Sequence, residues 1–156
     1  MSEELAGRLT DFGHALKVRV YFEDTDFSGV VYHARYLHFL ERGRSDFLRL
    51  KGIGHRELHA GALGEKMAFA LRHMDIDFIR PARIDDILTV ETRTVRLGGA
   101  RIVQSQRIVR GSDLLVAAKV EIAAISAEGK PMRMPPSVLT ALAPAETVTG
   151  ASLTSS

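Results

Sequence analysis

The stretch YFEDTDFSGVVYHARYLHFLERGR, Tyr21 to Arg44, decides the reading of this chain. It starts where an alternating segment ends. It then passes through an acidic turn with Asp24, Thr25, Asp26, Ser28 and Gly29, and enters a long helical pattern. A carboxylate is thereby placed beside a helix N-terminus, with His33 in the first turn. The free N–H groups of such an end favour negative charge, including the charge that develops on a carbonyl oxygen under attack.

The pattern on either side supports this. Leu16, Val18, Val20 and Phe22 alternate with Lys17, Arg19, Tyr21 and Glu23, which predicts a strand with one buried face and puts the Phe22 ring on that face. From about Val31 to Leu50, Tyr36, Leu40, Gly43, Phe47 and Leu50 recur at helical spacing, with Leu37 and Leu48 widening the stripe and Arg35, His38, Glu41, Arg42, Ser45 and Arg49 opposite. Gly43 falls within the stripe at a cost of about 1 kcal/mol against alanine, so it implies close approach of a sheet. Lys51-Gly52 suits the helix end.

After a mixed segment with a short helical turn near Arg56–Ala60, four runs predict strands. Ala68 to Arg80 alternates through Ala70, Met74, Ile76 and Phe78 and stops at Pro81. Ile87 to Arg96, Arg101 to Arg110 and Leu114 to Ser126 follow, separated by Gly98-Gly99 and by Gly111-Ser112-Asp113. Pro135-Pro136-Ser137 begins a last short helix through Ala143. One long helix followed by consecutive strands with tight turns describes an α+β fold, an antiparallel sheet with the helix on its apolar face. The expected organisation is a loose N-terminus over residues 1–14, a single domain over 15–143 and a disordered tail over 144–156.

The 156 residues, 46% hydrophobic and 26% charged, are those of a globular domain. A net charge of +2 with scattered basic residues argues against a nucleic-acid partner. No apolar run reaches the roughly 20 residues of a membrane span. The N-terminal residues lack the basic start and apolar block of a signal peptide, and there is no cysteine, so a cytoplasmic location is expected. His55 and His59 in HRELH share a helix face, but Arg56 stands where a zinc protease needs glutamate and no third ligand is apparent, so no metal is expected.

The residues VRVYFEDTDFSGVVYHARYLHFLERGRSDFL resemble the acyl-CoA thioesterases of the hotdog fold. The likeness is greatest to the branch with the 4-hydroxybenzoyl-CoA thioesterases and the small thioesterases encoded beside the Tol–Pal envelope genes. MDIDFIRPARIDDILTVETRTVRLGGA and LLVAAKVEIAAISAEGKP extend it over about residues 16 to 138. The resemblance implies a long helix wrapped by a curved antiparallel sheet, and subunits paired through their sheets as a dimer or tetramer. It implies an active site at the subunit boundary, acyl-CoA as the substrate, and no cofactor beyond the coenzyme A of the substrate itself. Asp26 would be nucleophile or general base, His33 a second catalytic residue, and Phe22, Val31 and Tyr32 substrate contacts. Relatives usually have tyrosine where this chain has Phe22, and alanine or proline where it has Phe27. Asp24 reads as turn-forming, Glu41 as solvated or ion-paired, and Arg80, Arg83, Arg96 and Arg101 as surface charge, of a kind that could also meet coenzyme A phosphates. A hydratase on acyl thioesters and a non-catalytic acyl-CoA-binding or envelope-associated scaffold are the alternatives.

Overall fold

A computed structural model describes residues 7–11 and 13–144. The elements run β1 (Arg8–Leu9), β2 (His14–Arg19), α1 (His33–Leu50), α2 (His55–Ala60), β3 (Met67–Phe78), β4 (Ile87–Leu97), β5 (Arg101–Arg110), β6 (Asp113–Ser126) and α3 (Pro136–Leu142). The six strands form one antiparallel sheet in the order β1-β2-β4-β5-β6-β3. The sheet wraps α1, and Val20, Tyr36, Phe39, Leu40, Leu48, Leu88, Val90, Ile108 and Val120 belong to one buried cluster. The α+β hotdog reading holds, including the helix end at Lys51 and the left-handed Gly52 (φ 81°).

Successive strands β3 and β4 are not neighbours, because β5 and β6 lie between them. The eight-residue connection 79–86 therefore crosses one end of the sheet. That end also receives the end of β2 and the start of α1, since antiparallel pairing fixes the direction of every strand. Val20 N–H donates to the Asp86 carbonyl (2.9 Å) and Asp85 N–H to the Val20 carbonyl (2.8 Å), which fastens β2 to this connection. Asp85 takes the left-handed conformation (φ 72°), one that aspartate tolerates better than most residues.

Gly43 does what its place in the stripe predicts. A Cβ there would stand 2.8 Å from Val90 Cγ1 and 3.1 Å from Thr92 Oγ1, so its absence lets the helix settle onto β4. Beside it a polar seam crosses the interface. The Gln106 amide donates to the Leu40 carbonyl (2.9 Å) and to Thr92 Oγ1 (2.8 Å), and Arg44 donates to Gln106 Oε1 (3.1 Å).

Four expectations need correction. The strand predicted through Glu23 ends at Arg19, and Phe22 lies in a 3-10 turn over Phe22–Asp24, 80% exposed. The turn breaks the period of two, so the ring does not join the buried face. Leu37 is 40% exposed instead of widening the buried stripe. In β3 a bulge between Leu71 and His73 changes the phase, so Ala70 does not share a face with Met74 and Ile76. The chain start is also not loose throughout. Arg8–Leu9 pairs with His14–Ala15, and Gly7 N–H donates to Asp46 Oδ2 (2.7 Å), which also meets His14 Nε2 (2.6 Å). Residues 1–6 and the tail beyond Pro144 lie outside the described residues. No helix among the described residues is long and apolar enough to cross a membrane.

Gly43→Ala tests the packing. The new methyl would gain about 1 kcal/mol of helix propensity but meet a β-branched side chain held in a central strand. The variant should lose about 1–3 kcal/mol of unfolding free energy in a urea titration; equal or greater stability would contradict the close approach.

Candidate active site

The start of α1 carries donors that nothing in the helix satisfies. Its N-cap is Tyr32, which provides no side-chain cap, and the first turn holds no acidic residue. Tyr32 N–H donates back to the Asp24 carbonyl (3.0 Å), and Arg35 N–H closes on the Tyr32 carbonyl (2.8 Å). That leaves the amides of His33 and Ala34 as the orphan donors of the first turn among the described residues. Two unpaired N–H groups at the positive end of an 18-residue helix form a ready acceptor site for an oxyanion.

The loop before the helix is tightly folded. Thr25 bridges Val31 and Val30 bridges Arg83. Asp26 N–H donates to the Val30 carbonyl (3.0 Å), and Gly29 N–H to the Asp26 carbonyl (3.1 Å), with Gly29 at φ 88°. The turn therefore folds Asp26 back beside Val30, three residues before His33. Asp26 Oδ1 accepts from Ser28 N–H (2.8 Å) and Ser28 Oγ–H (2.5 Å). These two bonds, the hydroxyl first, hold the Asp26 carboxyl below its ordinary pKa. The group is thus a carboxylate at neutral pH, and among the described residues no donor occupies Oδ2.

Asp24 has a different role, as its turn position suggested. It is buried, accepts Tyr21 N–H at Oδ2 (2.8 Å), and lies 3.3 Å from Arg35 Nε at Oδ1. It braces the loop from inside.

A cleft of about 240 Å³ opens at the helix start, lined by Val31, His33, Tyr36, Phe78, Ile79, Arg80 and Pro81. The His33 ring is tilted on Tyr32 (4.7 Å between centroids) and edge-on to Phe78 (6.1 Å). Tyr36 forms the floor: its hydroxyl accepts Ala82 N–H (2.9 Å), and burial pushes its pKa up. The structure so brings Val31, Tyr32 and His33 together and places Asp26 in the adjoining turn. Phe22, expected to touch substrate from the buried face, is outside the cleft lining and turned to solvent. Sequence reasoning passed over Ser28 and Tyr36. The Asp-x-Ser spacing after Thr25 is the signal for the first, while nothing local announces the second, whose partner lies 46 residues away. Glu41 accepts a hydrogen bond from Ser45 Oγ (2.5 Å). His55 also meets Ser45 (3.0 Å), and no group of three histidines, cysteines or acids suited to a metal ion occurs among the described residues.

A long helix wrapped by a six-stranded antiparallel sheet is the architecture of the hotdog fold. The thioesterase superfamily profile matches residues 28–117, more than half of the chain, and the chain belongs to that superfamily. It is 40% identical over 131 residues to "Acyl-CoA thioesterase YbgC" of Haemophilus influenzae, covering 83% of this chain and 94% of that one. It is 38% identical over 122 residues to "Acyl-CoA thioester hydrolase YbgC" of Escherichia coli O6:H1, covering 78% and 86%. A crystal structure of a probable thioesterase from Bartonella henselae shares 58% identity at a TM-score of 0.76, over 80% of this chain and 99% of that one.

The Ser28 bonds have a measurable consequence. A lowered pKa keeps Asp26 charged into more acid solution, so a reaction that needs the carboxylate fades only as the pH falls through that lowered value. Ser28→Ala removes the hydroxyl donor and should move the acid limb of the kcat/KM profile to higher pH. An unmoved limb would show that Asp26 does not set it.

Proposed function

We propose that the protein hydrolyses an acyl-CoA thioester to the free acid and coenzyme A, with Asp26 as the reacting carboxylate and the start of α1 as the oxyanion site. The observation that carries this reading is the pair of unbonded His33 and Ala34 amides at a helix start whose preceding turn holds Asp26 in its charged form. The thioester carbonyl would point its oxygen at these amides. Asp26 would then either attack the carbonyl carbon through Oδ2, expelling the coenzyme A thiolate and leaving a mixed anhydride that water hydrolyses to the free acid, or take a proton from an attacking water and pass it to the departing thiolate. The His33 side chain, tilted on Tyr32 and edge-on to Phe78, would orient the carbonyl or the water. Val31 and Tyr32 would line the entry for the acyl group. No metal or organic cofactor takes part in this scheme, and coenzyme A enters only as part of the substrate. The names of the Haemophilus and Escherichia relatives support the same substrate class.

The active form in this proposal is a homo-oligomer, a dimer or tetramer, working in the cytoplasm. Strand β3 is a 12-residue edge with β6 as its single neighbour, and it exposes Leu71 (52%) and Phe78 (48%). A long unpaired edge with apolar side chains calls for a cover, and a second β3 supplies one by extending the sheet. Phe78 also lines the cleft, so pairing there would close the site from the partner side.

Asp26→Asn keeps the carbonyl oxygen that accepts from Ser28 and removes the charge. Its turnover of the best acyl-CoA substrate, followed by thiol release, should fall about 10²–10⁴-fold with the circular dichroism spectrum unchanged. Near-full activity would overturn the assignment. Light scattering at micromolar protein should give twice or four times the chain mass; an active monomer would contradict the paired edge.

A further inference from the structure

A second cavity, of about 340 Å³, lies between α1 and the sheet and is absent from the site just described. Its walls are mostly apolar, with Leu48, Phe69, Leu71, Ile102 and Ile122 among them. One wall is polar. Gln104, 2% exposed, faces the helix from β5, and its Oε1 is buried without a hydrogen-bond partner. Among the described residues its amide nitrogen has none either. A buried carbonyl oxygen without a donor is a costly feature, and it marks a place where a ligand supplies what the fold does not.

Beside Gln104 stands a fixed relay. Ser45 Oγ gives its one proton to Glu41 Oε2 (2.5 Å) and must therefore accept from His55 Nε2 (3.0 Å). This assigns His55 the neutral tautomer with the proton on Nε2, in keeping with burial that lowers its pKa. The relay holds the Glu41 carboxylate at the cavity wall. Arg44 lines the same space from the next turn, so one charge of each sign is present. A neutral group suits such a wall better than an anion or a cation.

The cavity lies farther along the same helix and the same strand that line the cleft. His33, Leu37, Glu41 and Ser45 follow one another at i, i+4 spacing, and Leu37, between the cleft and the cavity, is exposed. On the other side β3 runs alongside, with Phe78 at the cleft and Phe69 and Leu71 at the cavity. Eight residues at 1.5 Å each separate His33 from Glu41, about 12 Å, the length of roughly ten methylene carbons.

We propose that this cavity receives the far end of the acyl group and selects a hydroxyl there, with Gln104 and Glu41 as the residues that recognise it. A hydroxyl satisfies the carboxamide in either orientation, because it donates to the oxygen and accepts from the nitrogen. A plain methyl end leaves Gln104 Oε1 without a donor. An acidic end meets Glu41. The inference rests on the acyl-CoA reading above and specifies its substrate as an ω-hydroxyacyl thioester.

The test compares decanoyl-CoA, 10-hydroxydecanoyl-CoA and the matching ω-carboxy ester, as binding to Asp26→Asn by calorimetry and as hydrolysis by the wild type. The hydroxy ester should bind about 10-fold more tightly than decanoyl-CoA, the scale set by leaving one buried polar group unpaired. The carboxy ester should be the weakest. In a Gln104→Leu background the preference should reverse in favour of decanoyl-CoA, and Glu41→Gln, at an exposed helix position, should admit the carboxy ester. Equal binding of hydroxy and plain esters, no binding of either, or a ratio unmoved by Gln104→Leu would overturn the inference. Hydrolysis of all three esters without preference would leave the thioesterase reading standing while removing this one. Selective binding without any turnover would do the reverse.

Discussion

The proposed oxyanion site depends on how one buried peptide, Ala82, is held. Its carbonyl accepts Val31 N–H and its N–H donates to the Tyr36 hydroxyl, both at 2.9 Å. Ala82 is fully buried, so neither group could turn to water if its partner moved. The two partners bracket the helix start, one just before it and one in its first turn. Two more bonds tie the end of β2 to the same connection through Val20. The orphan amides of His33 and Ala34 are thereby aimed by a frame that involves α1, β2 and the β3–β4 connection together. Such donors assist a reaction because they need no reorganisation when charge develops, and a displacement near 1 Å would forfeit much of that.

The same helix is held differently along its length. At its start it is fixed by directed hydrogen bonds, and at its middle by contact, with Gly43 pressed against Val90 and Thr92. The inward row of β5 reads Ile102, Gln104, Gln106, Ile108, all buried. Gln106 is satisfied by the helix and by Thr92, whereas Gln104 is not. Two adjacent inward glutamines, one structural and one unpaired, separate a packed seam from a cavity wall.

Much of this was legible in the residues, and the failures have local causes. The helix, its close contact at Gly43 and the four later strands follow from spacing, because apolar period and element type coincide there. The turn at Asp26 was legible as a place for a carboxylate beside a helix start. Its hydrogen bonding to Ser28 is local as well and could be read from Asp-x-Ser. Phe22 was misplaced because a 3-10 turn ended the strand early, and alternation alone cannot signal such an end. Leu37 looked like core since helical spacing alone does not separate the edge of an apolar stripe from its buried centre. The bulge beside Leu71 and the Gly7–Asp46 and His14–Asp46 contacts were not legible. They join residues 32 or more positions apart, or add one residue to a strand without changing its composition.

The central claim is that the carbonyl of the substrate is held by the uncapped start of α1. Backbone amide chemical shifts of ¹⁵N-labelled protein, titrated with a non-hydrolysable acyl-CoA ketone analogue, test it most directly. The account predicts that the largest downfield proton shifts fall on His33 and Ala34, whose N–H groups acquire an acceptor. Unmoved His33 and Ala34 signals under saturating analogue, with the large shifts elsewhere in the chain, would contradict it.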